Sequence, residues 1–131
     1  MVIPGGAGGE RGSASTEAVL VTPVLLFLVM LIVQFGLWYH AQHVVRAAAQ
    51  EGVRVARAEL GSAESGQEQA EAFLGAAGPR VVGGIEVVAE RGSETATVSV
   101  SGEAVAVVPG FALPVKATAT SPLERFRGDL P

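Results

Sequence analysis

The sequence predicts a membrane-anchored α+β protein: a long N-terminal transmembrane stem helix, a short second helix and a small antiparallel sheet of three or four strands. Two observations carry this. No charged residue occurs between Glu17 and Arg46. After Gly78-Pro79 the spacing of apolar residues changes from the 3.6 period of a helix to the period of two of a strand. Length is a third guide. Of 131 residues, about 70 remain beyond the apolar block, enough for one small domain with a marginal core.

The apolar run Ala18–Tyr39 is broken only by Thr22, Pro23, Gln34 and Gly36. As a helix it would be about 33 Å long, sufficient to cross the hydrocarbon core. Trp38 and Tyr39 close it, where amphipathic rings favour the headgroup zone. Pro23 lies in the second turn, where a lost backbone hydrogen bond is tolerated. Gln34 and Gly36 either serve helix packing or are merely accommodated. The block is too long for the apolar region of a cleaved signal peptide, although Ala47-Ala48-Ala49 resembles a small-residue cleavage site.

Glu17 opens the run. A carboxylate is favoured near a helix N-terminus, and Ser13, Ser15 or Thr16 would serve as N-cap. Beyond the run, Ala41, Val44, Val45, Ala48, Gly52, Val55 and Ala56 recur at helical spacing, so one helix is expected from Ser15 to about Glu59. Its stripe of small residues suits close approach of another helix or a sheet. Glu51 can reach Arg54 at i+3.

Gly61-Ser62 is a stop signal, and the segment to Gly66 reads as a loop. Gln67–Ala77 is expected as a short amphipathic helix with Ala70, Phe73, Leu74 and Ala77 on one face, ended by Gly78-Pro79. Val81-Val82 and Ile85–Val88 form a first strand, with a bulge or kink at Gly83-Gly84. Thr95–Ser101 alternates cleanly, and Ala104–Val108 would continue it or pair with it. Pro109-Gly110 and Pro114 bracket a loop carrying Phe111 and Leu113, either an exposed partner-binding tip or a core plug. Val115–Thr120 is a last strand. The tail from Ser121 reads as polar and loose.

Composition excludes several functions. There is no cysteine, hence no disulfide and no thiol chemistry. The net charge of −4, without a basic run, argues against nucleic acid. GGAGGE at residues 5–10 lacks the strand before it and the Lys-Ser/Thr of a phosphate-binding loop. His40 and His43 could face one metal, but no third ligand accompanies them, and interfacial polar residues are the simpler reading. No nucleophile–base set of an enzyme is present. Neither a cofactor nor a metal nor catalysis is expected.

The arrangement Gly12, four small residues, Glu17, then only apolar residues resembles the processing site of type IV prepilins. The stretch GSASTEAVLVTPVLLFLVMLIVQFGLWYHAQHVVRAAAQEGVRVARA is similar to the TadE family of pilin-like proteins, of the tight-adherence (Flp) branch of type IV pilus systems. Gly12, Glu17, Pro23 and the Ala-rich AAAQEGVRVAR carry the likeness. Many pilins of this branch have Tyr after the Glu. Ala18 stands here, which favours a minor subunit over the very small major pilin.

The resemblance implies a leader at residues 1–12, removed by a prepilin peptidase between Gly12 and Ser13. A transmembrane stem at 13–60, an exported α+β domain at 61–121 and a flexible tail at 122–131 would follow, giving a pilin-like lollipop. Glu17, fifth in the mature chain, would pair with the new amino group of a neighbouring subunit, offsetting a charge costing about 2.5–3.5 kcal/mol at mid-membrane. Other pilin or pseudopilin subunits and the inner-membrane assembly platform are the implied partners. The implied location is the cytoplasmic membrane, or a pilus, with the C-terminal domain outside. Charge bias points the other way, because Arg46, Arg54 and Arg57 follow the run while Arg11 and Glu10 cancel before it. The contrasting expectation is an uncleaved single-pass membrane protein whose small extracytoplasmic domain binds a ligand.

Overall fold

The fold is described from a computed structural model, which covers residues 5–77 and 79–125. Helix α1 spans Gly5–Ala56 without interruption, and α2 spans Ala63–Ala77. Three strands follow, β1 (Val82–Arg91), β2 (Thr95–Ala104) and β3 (Pro114–Pro122), in a fully antiparallel sheet of order β1-β2-β3. The expected α+β architecture is present, with three strands rather than four. Residues 105–113 form a loop, not a strand, because Pro109 and Gly110 turn the chain. Val108 O accepts the Phe111 N–H at 3.1 Å, and Gly110 takes φ 82°, the requirement of a type II turn with Pro at its second position.

The stem helix is longer at its start than expected and three residues shorter at its end. Its C-terminus is closed from a distance. Arg91 Nη1 donates to the carbonyl oxygens of Ala56, Ala58 and Gly61, each at 2.7 Å, supplying a donor to the last carbonyl of the helix, which has no partner within it, and to two carbonyls of the turn that follows. Helix α2 starts four residues before the expected Gln67. Ser62 Oγ accepts the Ser65 N–H at 3.0 Å and Ser65 Oγ accepts the Ser62 N–H at 2.8 Å, a reciprocal cap that turns the expected loop into helix. Leu74 and Ala70 are buried on α2, whereas Ala77 is exposed.

The core lies between the second half of α1, helix α2 and one face of the sheet. Ala41, Val44, Val45, Ala48 and Ala56 are buried as their spacing required, joined by Ala49 and Val53. Opposite them stand Ala96, Val98 and Val100 of β2, all fully buried. The small residues allow the close approach read from the sequence. A Cβ on Gly52 would lie 2.9 Å from the Gly66 carbonyl oxygen, and one on Gly66 would lie 2.6 Å from the Ala56 Cβ. The other face of the sheet is lined with hydroxyls. Thr97 pairs with Thr120 and Ser99 with Thr118, each at 3.0 Å across the β2–β3 ladder, as cross-strand neighbours do.

Strand β1 carries the expected bulge, between Gly83 and Glu86, with Gly84 at φ 58°. Strand β3 runs further than expected. Ser121 and Pro122 complete it, Leu123 N–H bonds to Glu94 O, and Glu124 N–H bonds to Arg57 O. The expected loose tail therefore does not begin at Ser121; its part at 126–131 lies outside the described residues.

Candidate functional site

The N-terminal half of α1 is bare. From Gly12 to Val29 every residue is exposed, including Leu20, Leu26 and Phe27 at 66 %, 61 % and 49 %. Water does not tolerate such a surface, and no other element among the described residues covers it. The helix is long and apolar enough to cross a membrane, which is the environment that accounts for the exposure.

At its start lie the residues singled out by sequence. Gly12, Ser13 and Glu17 all sit within continuous helix and are exposed. None of Ser13, Ser15 or Thr16 is an N-cap, because the helix begins at Gly5. Thr16 Oγ1 instead donates back to the Gly12 carbonyl oxygen at 2.9 Å, a local bond open to hydroxyl side chains inside helices. Glu17 likewise does not open the helix. It would come within the first turns only if the chain began at Ser13, where a carboxylate meets unpaired N–H groups. Nothing lies within 4 Å of a Cβ built on Gly12. Ala18 faces outward and Pro23 sits inside the helix without ending it.

At the other end of the apolar run the helix meets the domain it carries, and here the structure departs most from expectation. Gln34, completely buried, donates through Nε2 to Val105 O at 3.1 Å and accepts at Oε1 from Val107 N–H at 2.7 Å and Val108 N–H at 3.2 Å. One turn on, Trp38 Nε1 donates to Pro114 O at 3.1 Å. A further turn on, Gln42 Nε2 donates to Lys116 O at 2.7 Å and Oε1 accepts Lys116 N–H at 3.4 Å. Gln34, Trp38 and Gln42 share one face at intervals of four and grip the β2–β3 loop and the free edge of β3. Trp38 is thus partly buried against the core. Tyr39 is 62 % exposed, its ring edge-on to His43 at 4.6 Å.

The sequence points to Gln34 and Gly36 but not to this role, places Gln42 only on a polar side of the stem, and gives no sign of Arg91. A signal was present: polar residues at i, i+4 and i+8 on one stripe of an otherwise apolar helix.

Between α1 and β3, past the Gln42 clasp, an open groove of ≈ 730 Å³ is lined by Arg46, Gln50, Arg54, Arg57, Thr118 and Thr120. Its cations are partly engaged. Arg54 pairs with Glu51 as the i+3 spacing required, and Arg57 pairs with Glu124 at 3.2 Å. Hydrogen bonding to Arg54 holds the Glu51 carboxyl below its ordinary pKa, helped by Gln69. Among the described residues no group of three His, Asp or Glu side chains gathers where a metal could bind.

Among the described residues, one apolar stem gripped along one stripe by a small α+β head gives a stem-and-head protein, consistent with a single-pass membrane anchor. Residues 12–54 match the model of the family described as TadE-like protein. Over this stretch, about a third of its length, the chain is similar to that family. The match opens at Gly12 and ends two residues before the end of α1; the head lies outside it. No curated protein and no solved structure matches the chain.

Proposed function

We propose that this protein is a minor pilin or pseudopilin, a structural subunit used in assembling a Tad-type pilus or a related secretion machine. The observation that carries this reading is the family match over residues 12–54, which includes Gly12, Glu17 and Pro23. In this reading a prepilin peptidase cuts between Gly12 and Ser13. The run Ala18–Tyr39 holds the subunit in the cytoplasmic membrane with its head outside. Glu17 pairs with the amino terminus of a neighbouring pilin, and the assembly platform receives the subunit through its stem. Pairing suits the exposed position of Glu17, since a carboxylate left alone in hydrocarbon is costly.

A second reading, an uncleaved single-pass anchor whose head binds an envelope partner, draws support from one feature. The Gly12–Ser13 bond lies inside helix, with Thr16 Oγ1 bonded to the Gly12 carbonyl, and that segment must unwind before a protease can take it.

Intact mass of the membrane-extracted protein from its host, with the cognate peptidase present, separates the two. A chain beginning at Ser13 supports the pilin reading; a chain retaining Met1–Gly12 overturns it. Glu17→Ala, made in parallel, is expected to leave cleavage intact and to abolish co-purification with partner pilins.

A further inference from the structure

We propose that the β2–β3 loop, Val105–Leu113, is a second membrane contact, its tip embedded in the leaflet on the head's side and facing lipid. The inference rests on reading α1 as the membrane span and goes beyond any role in assembly.

The first argument is position along the stem. From Glu17 to Gln34 the helix rises roughly 26 Å, while the hydrocarbon core is about 30 Å thick. With Glu17 at one boundary, Gln34 lies below the other. The loop bonded to Gln34 through Val105, Val107 and Val108 lies at the same depth. The next rungs fall into place above it, Trp38 with Pro114 at the boundary and Gln42 with Lys116 outside.

The second argument is composition. No charged residue occurs from Ala104 to Val115, between Glu103 and Lys116. Val105, Val107 and Phe111 are 39 %, 41 % and 39 % exposed. They extend the exposed apolar surface of the stem, where Phe35 is 57 % exposed.

The third argument is the backbone. Irregular chain is costly in hydrocarbon because its N–H and C=O groups lack partners. Here Ala104 N–H bonds to Leu113 O at 2.9 Å, Val105 N–H to Val81 O at 3.0 Å and Phe111 N–H to Val108 O at 3.1 Å. Gln34 takes the N–H groups of Val107 and Val108, and Pro109 and Pro114 have none. The N–H groups of Ala106, Gly110, Ala112 and Leu113 have no such partner among the described residues, which limits the loop to the depth where headgroups and water still reach. An amphipathic element lying about 5–10 Å into the headgroup and acyl boundary is the physical counterpart.

The absence of cysteine gives a direct test with the full chain. Phe111→Cys and, independently, Val107→Cys carry a nitroxide label in phosphatidylcholine vesicles. Collision rates with oxygen, enriched in lipid, and with a water-soluble nickel chelate are compared. Leu25→Cys on the stem and Glu94→Cys on the far hairpin serve as references. The oxygen-to-nickel ratio at 111 and 107 is expected to be several-fold above that at 94 and close to that at 25. Water-like ratios at 111 and 107 with a lipid-like ratio at 25 overturn the proposal and leave the stem reading standing. A water-like ratio at 25 as well means that the stem reading itself fails, and the proposal with it. Shielding from both reagents that disappears on diluting the protein in lipid overturns it in favour of a second copy covering the loop.

Discussion

Gln34 Oε1 accepts the Val107 N–H at 2.7 Å across 73 residues of sequence, joining the apolar stem to the loop that lies against it. The same amide serves Val105 and Val108, so one side chain satisfies three backbone groups. Gln34→Leu makes the stem more apolar, yet it strands these groups in a buried place. Each buried group left unpaired costs about 1–3 kcal/mol. The expected outcome is a lower urea midpoint for the head in detergent micelles, with unchanged membrane extraction. Equal midpoints would show that the amide carries no such weight.

Two glycines with opposite surroundings test the α1–α2 contact. Gly66→Ala puts a methyl 2.6 Å from the Ala56 Cβ and 2.8 Å from the Gly52 carbonyl oxygen. Backbone cannot move aside freely, and overpacking of this kind costs about 1–3 kcal/mol. Gly75→Ala, on the same helix with nothing within 4 Å, is expected to raise stability by about 0.5–1 kcal/mol through the backbone entropy of the unfolded chain. Opposite shifts in thermal midpoint are the result to look for.

Arg91 ties the hairpin to the end of the stem through three carbonyls. Arg91→Ala is expected to destabilise by about 1.5–3 kcal/mol, the range for a hydrogen bond to a charged group. Arg91→Lys should recover only part of this, because the lysine chain ends one bond short of the Nη1 nitrogen that makes all three bonds. Faster hydrogen exchange at residues 53–61 in both variants is the local signature. Protection equal to the parent's in Arg91→Ala would refute a capping role.

Acid should loosen the link between the helices. Arg54 and Gln69 both bond the Glu51 carboxylate, and its pKa is held below the ordinary 4.5, chiefly by the Arg54 hydrogen bond. A carboxyl with a depressed folded pKa stabilises the fold above its unfolded value and loses that contribution as pH falls through the folded value. The gap in urea midpoint between the parent and Glu51→Gln should therefore be present at pH 7 and close below pH 4.5. A constant gap would assign the effect to packing. The pair is solvent-accessible, so the gap is small and shrinks in salt.

Much of the fold was legible because it rests on periodicity. The alternation of Thr95–Ser101 fixed which face of β2 is buried, and the small residues of Ala41–Ala56 announced close packing. What escaped notice depends on single long-range hydrogen bonds. Arg91 is not legible as a helix cap, since its carbonyls lie 30 to 35 positions earlier. Ser62 was read as a stop because the Ser65 half of its cap looked like loop. Hydropathy averages over a window, so it does not register that the stripe of Gln34 and Trp38 is gripped by a partner. At the candidate processing site the spacing of Gly12 and Glu17 was plain, whereas the helix running through both was not.

The shared core of stem and head has a practical corollary for anyone dissecting the protein. The line at residue 60 or 61 that composition draws is not where the chain can be cut. A fragment starting there would lose Val45, Ala48, Val53 and Ala56 and bare Val98 and Val100, so it should aggregate or stay unfolded. A soluble version would have to keep residues from Gln34 onward while shedding the bare turns before it. The same dependence makes folding a report on insertion. If α1 spans a membrane, the head can assemble only where the second half of that helix has emerged, and a chain inserted otherwise is expected to remain open to proteases.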